Sequence, residues 1–259
     1  MYDGGDLSPA NDALWAAVAG RLRARGMTDV PEHLERRTEI AEDARLLFGQ
    51  TCGYPFASGL ARSMRVVAVP VYDAPGCEGT HHRSFIVVRA DARVRALEEL
   101  AGARAVINEP DSNTGRNLFG DALASTGARF PFFAAVTFSG SHLQSLAAVA
   151  KGEADVAAID CVSHAHFSRM HPAWTGATRI LHATRAAPSL PFITARENGD
   201  ETASALFTAL SETLADPAMA PACRILRLVR IEAIDPSAYD VTHAFAARAN
   251  EIFGAPSAS

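Results

Sequence analysis

Residues 104–160 read RAVINEPDSNTGRNLFGDALASTGARFPFFAAVTFSGSHLQSLAAVAKGEADVAAID. The apolar run Arg104–Asn108 predicts a strand, and Asp111-Ser112-Asn113-Thr114-Gly115 opens a helix to about Thr126. Phe132–Ser139 predicts a second strand, Ser141 opens a helix to Lys151, and Asp155–Asp160 predicts a third strand. Cys161 then opens a helix to about Met170. Strand–helix alternation at these lengths predicts an α/β architecture with mostly parallel sheets. Each of the three strands ends in small polar residues that start the next helix: Ser112 and Thr114, Ser139 and Ser141, and Asp160. In an open parallel sheet these positions share one edge, where helix N-termini present free N–H groups and a positive dipole end. Such an edge can hold an anion without any lysine. The same residue types are also ordinary helix caps, and at this point both readings stand.

Outward from this block the alternation continues. Asn11–Gly26 predicts a helix with Asn11 as cap, and Pro31 to about Ala44 predicts a polar one. Arg45–Thr51 predicts a strand running into the loop Thr51-Cys52-Gly53-Tyr54-Pro55. Arg65–Tyr72 and Arg83–Arg89 predict buried strands. After the middle block come a strand at Thr178–Ala183, an extended segment at Leu190–Ala195 and a helix from Asp200 to Leu214. A strand near Ile225–Ile231 and a last helix over Pro236–Phe253 complete the chain.

Composition excludes several classes of function. The 259 residues suit one large domain or two small ones, and 48% hydrophobic with 20% charged residues is ordinary for a globular chain. A net charge of −5 with no basic run argues against nucleic-acid binding. Lys151 is the only lysine, which rules out a P-loop and leaves almost no room for Schiff-base chemistry. No apolar run approaches a membrane span. Met1-Tyr2-Asp3-Gly4 carries no basic n-region or apolar h-region, so the expectation is a cytoplasmic protein as written, or a periplasmic one if the true start lies upstream. Cys52, Cys77, Cys161 and Cys223 include no Cys-x-x-Cys pair. His81-His82 and His164/His166 have the wrong spacing to chelate one metal, so no metal and no cofactor is expected.

The segment Ser139-Gly140-Ser141-His142, followed by Ser145-Leu146-Ala147-Ala148-Val149 and Gly152-Glu153-Ala154-Asp155-Val156-Ala157-Ala158-Ile159-Asp160, resembles a known signature. It is similar to the substrate-binding proteins of phosphate, phosphite and phosphonate ABC transporters, the PhnD-like branch of the type II periplasmic-binding-protein fold. Asn108-Glu109-Pro110-Asp111-Ser112-Asn113-Thr114-Gly115, Gln50 to Pro55 and Tyr72 to Gly79 support the likeness, which is good over roughly residues 45–195. The resemblance implies a two-lobed α/β fold with a ligand cleft between the lobes. Lobe 1 would comprise 1–89 and 189–259, lobe 2 would comprise 90–188, and Arg83–Arg89 and Leu190–Ala195 would be the crossovers. It further implies that Ser112, Asn113, Thr114 and Gly115 hold the anion at one helix start, and Ser141 and His142 at the next. Tyr54 and Tyr72 would come from lobe 1, and Asp160 would reach a polar or cationic substituent, or else cap its helix.

Three functions follow as expectations. The first is a solute-binding protein that closes over a small oxyanion (phosphonate, phosphite, phosphate or an organic analogue) for an ABC permease, without catalysis. The second is a Cys/His-dependent enzyme on the same scaffold. If the strands before them are neighbours, Cys52 and Cys77, each in a Gly-containing loop, would lie close together at the rim, as inert thiols, a disulfide in an exported form, or a nucleophile with His81 or His82 as base. In that reading Asp73 and Glu78 are general acid/base carboxylates; otherwise they stabilise turns. The third is a cytosolic ligand-sensing module acting through a partner protein.

Overall fold

A computed structural model describes residues 2–36 and 45–255. In chain order its elements are α1 (Leu7–Ala24), β1 (Gly49–Gln50), α2 (Gly53–Ser58), β2 (Met64–Tyr72), β3 (His81–His82), β4 (Ser84–Arg89) and β5 (Arg104–Ile107). A π-helical turn, Asn113–Asn117, runs directly into α3 (Leu118–Ala124). Then follow β6 (Ala135–Phe138), α4 (His142–Lys151), β7 (Val156–Asp160), α5 (Cys161–Met170), α6 (Pro172–Gly176), β8 (Thr178–Ala183) and β9 (Ala187–Pro188). The last elements are β10 (Phe192–Ala195), α7 (Gly199–Ala215), α8 (Ala220–Leu226), β11 (Leu228–Glu232) and α9 (Val241–Phe253).

The chain divides into two compact units, Met1–Asp73 with Pro188–Ala238, and Ala74–Ala187 with Tyr239–Ser259. The first unit is built on a sheet of order β1-β10-β2-β11, antiparallel throughout. α1 packs on α7 and α8, and α7 packs on β2 and β11. The buried face of α1 carries Leu7, Ala10, Leu14, Trp15, Val18, Ala19 and Leu22, an apolar stripe at helical spacing. Burying each large side chain of that stripe contributes about 1.5–3 kcal/mol. The helix begins at Leu7, not at Asn11, because Asn11 uses its amide to donate to the Tyr2 carbonyl and to Asp3. Pro31 to Arg36 is not helical, and the rest of the helix predicted there lies outside the described residues.

The second unit is a five-stranded mixed sheet of order β6-β5-β7-β4-β8. β5 is parallel to β6 and to β7, while β4 is antiparallel to both β7 and β8. The expected mostly parallel sheets are therefore corrected: β4 enters from the opposite direction, and the sheet of the first unit has no parallel pair among the described residues. Ile86, Val88, Ala105, Val156 and Ala158 share one core with Phe119, Leu123 and Ile252. Alternate positions Val87, Val106 and Ala157 point to the other face and are also buried. A strand core sealed on both faces explains why β4 and β7 read as unbroken apolar runs.

The expected lobe bounds differ from this grouping at two places. Arg83–Arg89 does not form a crossover; its strand β4 is an interior strand of the second unit, zipped to β7 and β8. α9 packs on α3, so residues 239–259 also belong to the second unit. Their approach is close: a Cβ at Gly120 would come within 2.4 Å of Ala249 Cα. Thr51–Pro55, expected as a loop, contains the first turn of α2, where Pro55 needs no N–H partner.

Candidate anion-binding site

Strand ends gather at one edge of the five-stranded sheet. Ile107 pairs with Phe138 in the parallel β5–β6 ladder, and β7 runs alongside β5 in the same direction, so three C-terminal ends share that edge. Antiparallel pairing brings the start of β4 there, with Ser84 opposite Asp160, and the end of β8, with Ala183 beside Phe85.

Hydrogen bonds then join these ends across the sheet. The Ser84 N–H donates to Thr184 Oγ1 at 2.9 Å, and Ser84 Oγ donates to the Thr114 carbonyl at 2.7 Å. Thr114 Oγ1 lies 2.9 Å from His142 Nε2. This last contact ties the helix start after β5 to the helix start after β6. Ser139 adds a further link, its Oγ lying 2.7 Å from Ser145 Oγ inside the turn that leads into α4.

Ser112, Ser141 and Asp160 are helix caps in this structure. Ser112 Oγ accepts from the Gly115 N–H at 2.9 Å, Ser141 Oγ from the Gln144 N–H at 3.2 Å, and Asp160 Oδ1 from the Ser163 N–H at 2.8 Å. A hydroxyl that accepts one bond keeps its own proton to donate, so capping by Ser112 and Ser141 does not preclude an oxyanion contact. After Ser112 the backbone winds as a π turn, in which the Arg116 and Asn117 N–H groups both bond the Ser112 carbonyl. Such turns occur often at functional sites. Gly115 is required by space: a Cβ there would stand 1.6 Å from Asn108 Oδ1.

Asn113 is 1% exposed, yet neither its Oδ1 nor its Nδ2 has a hydrogen-bond partner among the described residues. Asn117 Nδ2 and Asn108 Oδ1 are buried in the same condition. Each such group costs about 1–3 kcal/mol unless something satisfies it. The corner around the π turn thus holds polar capacity that the chain itself does not use.

Burial pushes the His142 imidazole below its ordinary pKa, against the opposing pull of the Asp160 carboxylate and the Ala158 carbonyl. Burial also pushes the Asp160 carboxyl up, but His82 outweighs it, with help from His142 and the Ser163 N–H, and holds it at about 2. Asp160 Oδ2 lies 2.9 Å from His82 Nδ1, both side chains 2% exposed, as a close ion-pair contact.

The other predicted site residues belong to the first unit. Tyr72 ends β2, its hydroxyl accepts from Gln50 Nε2 at 3.1 Å, and its ring meets Tyr2 edge-on at 5.3 Å. Tyr54 lies half-buried on α2. Cys77 lies against Cys161 in the second unit, and Cys52 is the N-cap residue of α2 in the first. Glu78 is exposed and faces Arg83 at 3.8 Å, a turn carboxylate. Among the described residues no group of three or more His, Cys, Asp or Glu side chains can hold a metal. No helix among them is long and apolar enough to cross a membrane.

Sequence reasoning missed His82, Ser84 and Thr184 as members of this edge. His82 was weighed only as a metal ligand or as the base for a Cys nucleophile, and Ser84 and Thr184 sit where antiparallel strands start and stop. Only the strand direction brings them to the helix starts.

A family model described as an ABC transporter, phosphonate, periplasmic substrate-binding protein matches residues 12–239. The chain belongs to this family of binding proteins. No curated protein sequence matches it significantly. Among solved structures it is similar to a binding protein component of an ABC phosphonate transporter from Pseudomonas aeruginosa, with TM-score 0.74, 14% identity and coverage of 93% of this chain and 82% of that one. It is also similar to PhnD1 from Prochlorococcus marinus in complex with methylphosphonate (TM-score 0.62, 13% identity, 92% and 84% covered). A protein from Xanthomonas citri bound to ATP is a third likeness (TM-score 0.65, 20% identity, 94% of both chains covered). The fold is that of the periplasmic binding proteins, and the function is solute binding for ABC-type uptake. Neither the Cys/His enzyme nor the cytosolic sensor is favoured.

Proposed function

We propose that this chain captures a small phosphonate-like oxyanion at the strand-end edge of its second unit, in the periplasm, and delivers it to a cognate ABC permease. The observation that carries the site is the Thr114–His142 contact of 2.9 Å, which joins two helix starts. Ser112, Asn113, Thr114 and Gly115 supply one half of the oxyanion pocket, with the unsatisfied Asn113 amide as an added donor. Ser141 and His142 supply the other half. Asp160, capped onto α5 and paired with His82, reads a cationic or hydroxylated substituent. Tyr54 and Tyr72 provide aromatic surface with hydroxyl tips.

Calorimetric titration with methylphosphonate, phosphite, phosphate and 2-aminoethylphosphonate tests this reading. At least one should bind to the parent chain. Thr114→Val and His142→Gln should each weaken it by about 5- to 100-fold, the equivalent of about 1–3 kcal/mol for a buried partner lost. Ser141→Ala should lose both affinity and about 0.5–2 kcal/mol of stability, as a cap and a donor together. Asp160→Asn should lower the preference for the amino-substituted ligand over phosphate. Affinities unchanged in Thr114→Val and His142→Gln would remove the anion site from this edge, and Tyr72→Phe and Tyr54→Phe test the hydroxyl contribution separately.

A further inference from the structure

Cys77 and Cys161 are 84 residues apart in sequence, yet their Sγ atoms lie 3.6 Å apart. Neither is in a disulfide, and their exposures differ: Cys161 is fully buried and Cys77 only half. The backbone around them is tied to one short segment. The Cys161 N–H donates to the Arg83 carbonyl at 3.0 Å, and Arg83 Nε donates to the Gly76 carbonyl at 3.2 Å. Gly76 itself, at φ +94°, is packed so tightly that a Cβ there would come within 2.9 Å of Cys161 Cβ. The Cys77 N–H closes the turn onto the Ala74 carbonyl at 3.0 Å. The sulfurs, already at 3.6 Å, would close to the bonded separation of about 2.0 Å in a disulfide.

We propose that Cys77 and Cys161 are a disulfide-forming pair, closed by exchange with a small-molecule or protein disulfide in an oxidising compartment. Cys77 is the attacking thiol, because it is the accessible member. The contact with Cys77, burial and the Asp160 carboxylate all raise the pKa of the Cys161 thiol, which keeps Cys161 protonated until the second step. The Cys77 thiolate attacks one sulfur of the oxidant R–S–S–R, forms a Cys77–S–S–R mixed disulfide and expels one R–S⁻. Cys161 then attacks the Cys77 sulfur, its proton passing to the departing second R–S⁻, which leaves as R–SH. Two protein thiols lose two electrons and two protons, and the oxidant becomes two R–SH. The bond fastens the turn at 74–80 to the first residue of α5, directly after Asp160. It uses neither Cys52 nor Cys223, and it is independent of which anion the protein binds.

The full-length chain is incubated with oxidised glutathione, quenched with an alkylating agent, and read by intact mass and peptide mapping. The expected result is the loss of two hydrogen masses, a fall from four alkylatable cysteines to two, and one cross-linked peptide containing Cys77 and Cys161. Cys77→Ser, which changes the half-exposed member and spares the buried one, should abolish the cross-link and leave Cys161 alkylatable on denaturation. Cys161→Ser should stop the reaction at a glutathione adduct on Cys77. Four alkylatable thiols after oxidation, an unresolved adduct on the parent chain, or a cross-link through Cys52 or Cys223 would each overturn the proposal.

Discussion

Asp160 concentrates several roles in one side chain. Its Oδ1 caps α5 and its Oδ2 faces His82, so its pKa falls from 3.8 to about 2 despite full burial. A carboxyl whose pKa is depressed on folding contributes stability above its unfolded value, and that contribution is lost as pH falls from near 3.8 towards 2. The shift is worth on the order of 2 kcal/mol. Urea unfolding of the parent chain should therefore lose stability most steeply between about pH 4 and pH 2, and Asp160→Asn should flatten that part of the profile. Equal slopes in parent and variant would mean that Asp160 is not the titrating group. At this scale the sequence marked Ser112, Ser141 and Asp160 as helix starters correctly, because cap chemistry is local. It did not reveal that His82 partners Asp160, since 78 positions separate them and only the β4–β7 ladder brings Ser84 opposite Asp160.

Elements were legible wherever their pattern was strong. α4, α5 and β8 lie where periodicity and caps put them, since Ser141, Asp160 and the left-handed Gly152 are local signals. Weak local signals failed: α2, α6 and α8 are short helices stabilised by their packing, and the π turn at Asn113–Asn117 has no signature in residue type. The α3–α9 contact shows what the sequence hides. Gly120 looks like a mild helix weakness, but it is the point where Ala249 approaches. Gly120→Val should cost about 1–3 kcal/mol or more as overpacking, though valine and glycine differ modestly in helix propensity. Chemical denaturation checks this. A variant as stable as the parent would show that α3 and α9 separate at no cost. A milder Gly120→Ala, whose Cβ would still meet Ala249 Cβ at 2.5 Å, should lie between the two.

At the scale of the whole molecule, ligand binding should register locally. Hydrogen–deuterium exchange with saturating methylphosphonate should slow at 112–117 and 141–145, where helix-start N–H groups face the proposed anion, and a ligand at 100 times its Kd should add about 2.7 kcal/mol to stability. Protection that misses both segments would move the site elsewhere. By itself the sequence determined the α/β class, the strands and longer helices from Arg104 to Ala183 apart from α6, and the family, because local periodicity, caps and a short motif are carried by neighbouring residues. Strand direction and partnership were decided only in three dimensions. β4 lies antiparallel between β7 and β8, α9 returns to the second unit, and Cys77 meets Cys161, 84 residues away in sequence. The physical reason is that an apolar strand buried on both faces reads the same in either direction and beside any partner. Its place is set by the side chains it meets across the sheet, far away along the chain.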